Sequence, residues 1–336
     1  VAVADVAPIV QTEHALVTGP VPLTPIQHWF FEQNFVNPHY WNQAVLLEAC
    51  QPLNPALLEN AIRHLLDHHD ALRLRFTREK DGWQQINAAP DVDIPFVDFD
   101  LSELDAEQQR ATIEEHAAAL QASLNLTDGP LMRVALFDLG RQRAGRLLII
   151  IHHLAVDNVS WRILLEDLHT AYTRLERGEP VNLPPKTTAF KTWAERLATY
   201  AQSADLKREL AYWLDFPSRA VPSSSTAGKA EKNTEASART VSVALSVEET
   251  RALLHNVPPV YHTHIHEVLL TALAQAYHAW AGTPILRLDL EGHGREDILP
   301  DVDVSRTVGW FTTIFPVCLD LSGVAGPGEA LKAIKE

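Results

Sequence analysis

The stretch Leu147-Leu148-Ile149-Ile150-Ile151-His152-His153-Leu154-Ala155-Val156-Asp157-Asn158-Val159-Ser160-Trp161 decides how this chain is read. Its aliphatic run has the continuity required of a β-strand buried on both faces. Beyond Ser160 the apolar residues Ile163, Leu164, Leu165 and Leu168 return at helical spacing. The two histidines and Asp157 therefore sit on a strand-to-helix connection, where polar side chains can face a cleft.

Working outward, Met132–Leu139 and Arg146–Ile151 are apolar runs separated by a segment that starts and ends in glycine, the pattern of a β-hairpin. Further upstream, Thr24 followed by Pro25 signals a helix start, residues 41–49 read as a strand, and Pro55–Leu66 as an amphipathic helix. Ala71–Thr77, Trp83–Ile86 and Val92–Phe99 are short strand candidates, and residues 105–123, rich in Ala, Glu and Gln, form a helix. Downstream, a helix runs from Ser160 to Glu176, and another from Phe190 to Trp213 with a break near Ser203. The succession is α/β (α+β) in class.

A chain of 336 residues exceeds the size at which one core usually stops growing, so two lobes are expected. Residues 1–20 read as a linker, 21–216 as an N-terminal lobe, 217–238 as a Ser, Ala, Lys, Glu and Thr-rich mobile loop, and 239–336 as a C-terminal lobe. The second lobe repeats the logic of the first. A strand at Arg239–Leu245 and helices at Val247–His255 and His266–Ala281 precede a buried strand, Ile285–Leu290, that ends in the polar cluster Glu291-Gly292-His293-Gly294-Arg295-Glu296.

The formal charge of −15, with no basic stripe, excludes duplex nucleic acid and anionic membrane surfaces as partners. Cys50 and Cys318 lie far apart in apolar, strand-like contexts and read as reduced, buried thiols. No secretory leader pattern or bilayer-length apolar run is visible, so a cytoplasmic location is expected.

Several constellations carry little chemistry. His262, His264 and His266 alternate, but a helical pattern begins at once and no further ligand cluster accompanies them, so no metal is expected. His64, His68 and His69 read as a solvated helix end favoured by the macrodipole. Ser160 lacks the Gly-x-Ser-x-Gly turn of a nucleophile and reads as a helix cap. Gly292 and Gly294 lack the remaining residues of a phosphate-binding fingerprint and read as positions of positive φ or close approach by a ligand chain. There remain an imidazole after a strand in the first lobe and a carboxylate, Glu291, after a strand in the second.

At this point the residues resemble a family. His152-His153-Leu-Ala-Val-Asp157-Asn158 is similar to the His-His-x-x-x-Asp-Gly motif of condensation-type domains of nonribosomal peptide synthetases. The segments Pro25–Glu32, Val159–Leu164, Glu267–Leu273, Glu291–Glu296 and Arg306–Thr312 resemble the epimerization branch of that superfamily. The resemblance runs from about residue 20 to 320. It implies two chloramphenicol-acetyltransferase-like lobes in a V-shaped pseudo-dimer, with the second lobe incomplete in this chain. It also implies L-to-D epimerization at the Cα of an aminoacyl or peptidyl thioester held on the phosphopantetheine arm of a peptidyl carrier protein. An upstream adenylation module in the same synthetase would supply the amino acid, and no cofactor is bound by the domain itself.

On that resemblance His153 and Glu291 are the catalytic pair and His152 orients the loop. Asp157 is structural and pairs with Arg73 of the His69-Asp70-Ala71-Leu72-Arg73 segment, or else with Arg75. His293 and Arg295 lie beside Glu291 and tune its charge or shape the turn, while Ser160 and Trp161 support the loop. The motif glycine is Asn158 here, a side chain that tolerates a left-handed backbone. Residues 1–10 read as the tail of an upstream carrier domain. The alternatives are a condensation domain forming peptide bonds and a catalytically silent module that docks carrier protein.

Overall fold

The computed structural model describes residues 16–90, 93–141, 143–215 and 237–335. The expected carrier tail at 1–10, and all but the last two residues of the expected loop at 217–238, lie outside these.

The elements of the first part are β1 (Gly19–Val21), α1 (Pro25–Glu32), β2 (Asn42–Glu48), α2 (Pro55–His68), β3 (Leu74–Glu79), β4 (Gly82–Asn87), β5 (Phe96–Asp100), α3 (Ala106–Ala122), β6 (Met132–Asp138), β7 (Arg146–His152), α4 (Asn158–Glu176), α5 (Phe190–Tyr200) and α6 (Ala204–Asp215). β7 is buried from Leu147 to His152 and lies inside a four-stranded sheet of order β2-β7-β6-β5. β2 and β6 flank it antiparallel, and β5 joins β6 in parallel. Registers of Asn42 with His152 and of Met132 with Ile151 bring β2 and β6 alongside the strand end that precedes His153.

The strands' small, aliphatic and aromatic residues Ala135, Phe137, Leu148 and Ile150 pack with Leu101 and Leu124, and with Ile113, Ala117 and Leu120 of α3. Each large apolar side chain fully buried in this way contributes about 1.5–3 kcal/mol. The N-termini of α1 and α3 follow from local sequence. Asp105 forms a capping box with Gln108, and at α1 Gln27 Oε1 accepts from the backbone N–H of Thr24 at 3.0 Å, so backbone donors that would otherwise be orphaned are satisfied. β1, β4 and β3 form a separate three-stranded sheet.

Two local expectations shift. The strand placed at Ala71–Thr77 begins only at Leu74, because Asp70–Arg73 close a 3₁₀ turn after α2. Arg239–Leu245 is not a strand. Its alternating Val, Ser and Thr have the required propensity, but no described strand pairs with it, and Val241 and Val243 are 91% and 95% exposed.

The later elements are α7 (Val247–His255), α8 (Val257–Tyr261), α9 (Ile265–Ala281), β8 (Ile285–Gly292), β9 (Thr313–Asp320) and α10 (Pro327–Lys335). β8 was expected to be buried; among the described strands it pairs only with β9, and its residues are half-buried or exposed. Ala274, Leu319, Leu321 and Ala330 form the core there.

The chain divides into two compact units. One holds the described residues up to Arg208 together with Gly292–Thr313, and the other holds Glu209–Glu291 and Ile314 onward. The returning segment is held to the first unit by named bonds. Thr188 N–H donates to Asp303 O at 2.8 Å, Thr307 Oγ1 donates to Thr188 O at 2.6 Å, and the Phe311 ring stands 5.6 Å from that of Phe190. No described helix is long and apolar enough to cross a membrane. Both cysteines are free, but neither is buried: Cys50 falls in the bend after β2 and is exposed, and Cys318 is half-buried on β9.

Candidate active site

β7 ends at His152, and a single 3₁₀ turn, His153–Ala155, carries the chain to Asp157, the N-cap of α4. His152 is wholly buried. Its Nε2 lies 2.8 Å from the carbonyl of Pro38, while its Nδ1 accepts from the backbone N–H of Leu154 at 3.1 Å. Burial pushes the imidazole down to about 4, so near neutral pH it is an uncharged brace between the turn and residue 38.

His153 is placed by a different set of partners. Its Nδ1 is 2.8 Å from the carbonyl oxygen of Val156, which can only accept, so Nδ1 carries the hydrogen. The indole Nε1 of Trp161 donates to Gln43 Oε1 at 2.6 Å. An indole N–H can only donate, which turns the Gln43 amide nitrogen toward His153 Nε2, 2.9 Å away. Nε2 is therefore the acceptor atom of the ring. The Trp310 ring covers the imidazole with centroids 4.4 Å apart, and Phe30 and Trp29 pack behind Trp310 at 6.3 and 6.5 Å.

Asp157 is spent on structure. Its Oδ1 accepts from the backbone N–H and the hydroxyl of Ser160, each at 2.7 Å, and its Oδ2 accepts from the Phe311 N–H at 3.3 Å. Arg295 Nη2 lies 3.1 Å from both oxygens and 3.1 Å from Ser160 Oγ. Arg295 Nη1 donates to Val304 O and Thr307 O at 2.7 and 2.8 Å, and its guanidinium sits 4.0 Å over the Phe311 ring.

This arrangement corrects the expected partner of Asp157. It is Arg295, not Arg73 or Arg75. Arg73 points its guanidinium at the carbonyls of Val17, Leu66, Asp67 and Ala88, and Arg75 at those of Leu74 and Asp128. Both serve a carbonyl-rich junction of turns and strand ends that sequence proximity to a motif cannot foretell. Arg295 accordingly spends its charge on Asp157. His293 is exposed, with its Nδ1 accepting from Arg295 N–H at 3.0 Å and lying 3.8 Å from Glu296.

Three further readings change. The helix cap is Asp157, whose backbone is extended, while Ser160 lies within the first turn. Ser160's single hydroxyl hydrogen has Asp157 Oδ1 and the Gly309 carbonyl as acceptors at 2.7 and 3.0 Å. Asn158 has a helical, not a left-handed, backbone, so the expected glycine-like turn is not used. Gly294 does adopt positive φ, +66°, but the chain that approaches it is the protein's own: a Cβ there would fall 1.6 Å from the Phe311 carbonyl oxygen.

The expected solvated helix end at His69 is instead buried. His69 Nε2 and Asp167 Oδ2 are 2.9 Å apart, and Arg306 Nη2 holds Asp167 Oδ1 at 2.7 Å. His68 stands beside them, its pKa pushed down to about 4 first by burial and then by His69. Among the described residues His68, His69 and Asp167 form a grouping with metal-ligand atoms. Both Asp167 oxygens are already bonded and Arg306 adds positive charge, so the donor set suits an ion-pair network better than a divalent ion. His262 closes α8 in a left-handed conformation and His264 caps α9, so the alternation of the three histidines does not persist as a strand.

Gln43 escaped notice in the sequence. Its signal is a Gln at the start of a strand of otherwise apolar pattern, but only strand pairing reveals that it reaches His153. Glu291 is an exposed residue near the end of β8, in the second unit. A cavity of about 900 Å³, lined by Cys50, Asp98, Asp138 and Arg143 among others, opens at the far end of the same strands and takes no part in this cluster.

A mixed α/β fold that brings a His-His-x-x-x-Asp loop off a buried strand, and locks it with a returning arginine, defines a protein of the chloramphenicol-acetyltransferase-like class. Within that class the chain belongs to the condensation domain family, whose match covers residues 17–336. It is 52% identical over 327 residues to a component of the linear gramicidin synthase of Brevibacillus parabrevis, covering 96% of this chain and 4% of that protein. It is 48% identical to chondramide synthase cmdD of Chondromyces crocatus, covering 99% of this chain and 9% of that protein. The chain thus spans a small part of the curated relatives it matches. Among solved structures, the epimerization domain from the third module of tyrocidine synthetase B superimposes with a TM-score of 0.85 at 39% identity, over 97% of this chain and 72% of that one. The first condensation domain of the calcium-dependent antibiotic synthetase shares the fold, with a TM-score of 0.68 at 20% identity over 94% of this chain and 72% of that one.

Proposed function

We propose that the protein epimerizes the Cα of an aminoacyl or peptidyl thioester carried on the phosphopantetheine arm of a peptidyl carrier protein. The observation that carries this reading is the state of His153. Its Nδ1–H is committed to Val156 O, and its Nε2 stands as a hydrogen-bond acceptor in a partly buried, aromatic-walled position. A bare imidazole nitrogen held in that way is suited to general-base removal of a proton.

The thioester acidifies Cα–H, and the electron pair of the broken bond delocalises onto the thioester oxygen as an enolate. His153 takes the proton, and Glu291, entering the step as the carboxylic acid, delivers its own proton to the opposite face and is left as the carboxylate; proton exchange with solvent returns both groups to their starting states. Glu291 stands four residues before Arg295 in the chain, and Arg295 is fixed on the cap of the helix that follows His153. Asp157 is excluded as the second proton carrier because both its oxygens are already bonded within the fold. The likeness to the tyrocidine synthetase B epimerization domain supports the same reading.

Peptide-bond formation is the competing reading, as the family takes its name from that reaction. Loading carrier protein with an L-aminoacyl group, adding the protein and analysing the released amino acid on a chiral column separates the two. A growing D fraction with no dipeptide is expected. A dipeptide formed from two loaded carriers, with the L configuration unchanged, would replace epimerization by condensation. Neither product would leave a carrier-docking module.

A further inference from the structure

Gln43 holds a position that neither the family motif nor the catalytic pair accounts for. It comes from β2, in register beside β7, and its carboxamide is oriented at both ends. Trp161 Nε1–H fixes Oε1 at 2.6 Å, and the amide nitrogen then lies 2.9 Å from His153 Nε2. That nitrogen carries two hydrogens, and among the described residues no acceptor faces the second. Gln43 itself is half-buried.

We infer that Gln43 is a further catalytic residue, donating its amide N–H to the thioester oxygen of the substrate as the enolate forms. The inference rests on the epimerase reading above. A Cα–H presented to the Nε2 lone pair displaces the amide hydrogen that occupies it in the unliganded protein. The thioester oxygen is two bonds from Cα, so it arrives beside the same NH₂ group. In the step that follows, the Cα–H bond breaks, its proton forms a bond to His153 Nε2, and its electron pair moves through the Cα–carbonyl bond to the oxygen. The charge thus develops where an oriented neutral donor already waits, and removing one such donor typically slows a reaction about 10²–10³-fold. Trp161 acts through Gln43 as a positioning residue, because it prevents the amide from turning its oxygen toward the imidazole.

The test compares wild type with Gln43→Met and Gln43→Glu in the loss of α-deuterium from α-deuterated L-aminoacyl-phosphopantetheine thioesters on carrier protein. Gln43→Met keeps the shape and removes both donors, while Gln43→Glu keeps the acceptor for Trp161 and also removes both donors. Each variant is expected to lose about 100-fold in kcat with KM changed by less than about threefold. In the wild type, ¹⁵N shifts of His153 are expected to show hydrogen on Nδ1 and none on Nε2. In Gln43→Glu, the introduced carboxylate offers only acceptors, so a hydrogen is expected on Nε2 as well. Wild-type exchange with an equal rate in folded Gln43→Met overturns the inference and leaves the epimerase reading standing. A bare Nδ1 in the wild-type spectrum overturns the placement of Gln43 even if both variants fail to fold. A wild type that exchanges with no member of the panel overturns the epimerase reading, and the inference falls with it.

Discussion

Arg295 binds Asp157 across 138 residues of sequence, with one guanidinium nitrogen 3.1 Å from each carboxylate oxygen and both side chains only 7% exposed. The pair ties the segment after β8 to the cap of the helix after His153, and it does so where water cannot compensate a lost partner. Removing either residue leaves an unpaired buried charge, at a cost of about 3–5 kcal/mol. Asp157→Ala and Arg295→Ala are each expected to lose that much in urea unfolding. The double substitution is expected to cost far less than the sum, because the second removal eliminates the orphaned charge. Additive losses would show that the two do not act as a pair.

His152 makes stability depend on pH. Burial holds its folded-state pKa near 4, below its ordinary value of 6.5. Above about pH 6.5 the ring is neutral in both states and contributes no pH dependence. As pH falls from 6.5 toward 4, only the unfolded chain takes up the proton, and stability is lost; below 4 both states are protonated and the loss stops. The window corresponds to about 3 kcal/mol. His152→Gln can still donate to Pro38 O and accept from Leu154 N, so it should stay folded at pH 7.5 with a visibly flatter stability profile between pH 6.5 and 4.5. Part of the slope should survive, since the half-buried His68 shifts in the same direction.

Gly294→Ala tests the close approach beneath Arg295. A methyl group there meets the Phe311 carbonyl carbon at 2.6 Å and its oxygen at 1.6 Å, at a φ of +66°. Backbone must move, and a loss of at least about 2–3 kcal/mol in urea unfolding is expected. Gly323→Ala, also at positive φ but facing open space, should cost only about 1 kcal/mol.

Trp161→Phe keeps an aromatic ring against the loop and removes only the N–H that holds Gln43 Oε1. Stability should fall by about 1–2 kcal/mol. Epimer formation should slow by about tenfold, because the freed amide can then present its oxygen to His153. An unchanged rate of D product would mean that the orientation of Gln43 does not matter to the chemistry.

Much of the first unit was legible because its signals are local. The aliphatic run before His152 needs nothing but continuity to be read as a buried strand, Thr24-Pro25 announces a helix start because proline at the first helical position needs no N–H partner, and the Ala, Glu and Gln content of residues 105–123 carries its own helix propensity. What failed depends on partners distant in the chain. Arg239–Leu245 has strand propensity but no described strand beside it, and β8 has an apolar pattern but only one described neighbour. The pairing of Asp157 shows the same limit within the site. Arg73, Arg75 and Arg295 are equally able to bind a carboxylate, and the choice among them is made by the return of residues 292–313 to the first unit. Gln43 was illegible for a related reason: its importance lies in strand register, which places it beside the histidine loop.

The central claim is that His153 and Glu291 move protons at a carrier-bound Cα. Its most direct measurement is the washout of α-deuterium from an L-aminoacyl-phosphopantetheine thioester on carrier protein, followed by mass spectrometry in wild type, His153→Ala and Glu291→Gln. Wild type should exchange the label and accumulate the D epimer; His153→Ala should lose the label, and Glu291→Gln should form the D epimer, at least about 100-fold more slowly, the range of a lost general acid or base. A folded wild type that leaves the label in place, or Glu291→Gln forming the D epimer at the wild-type rate, would contradict the account.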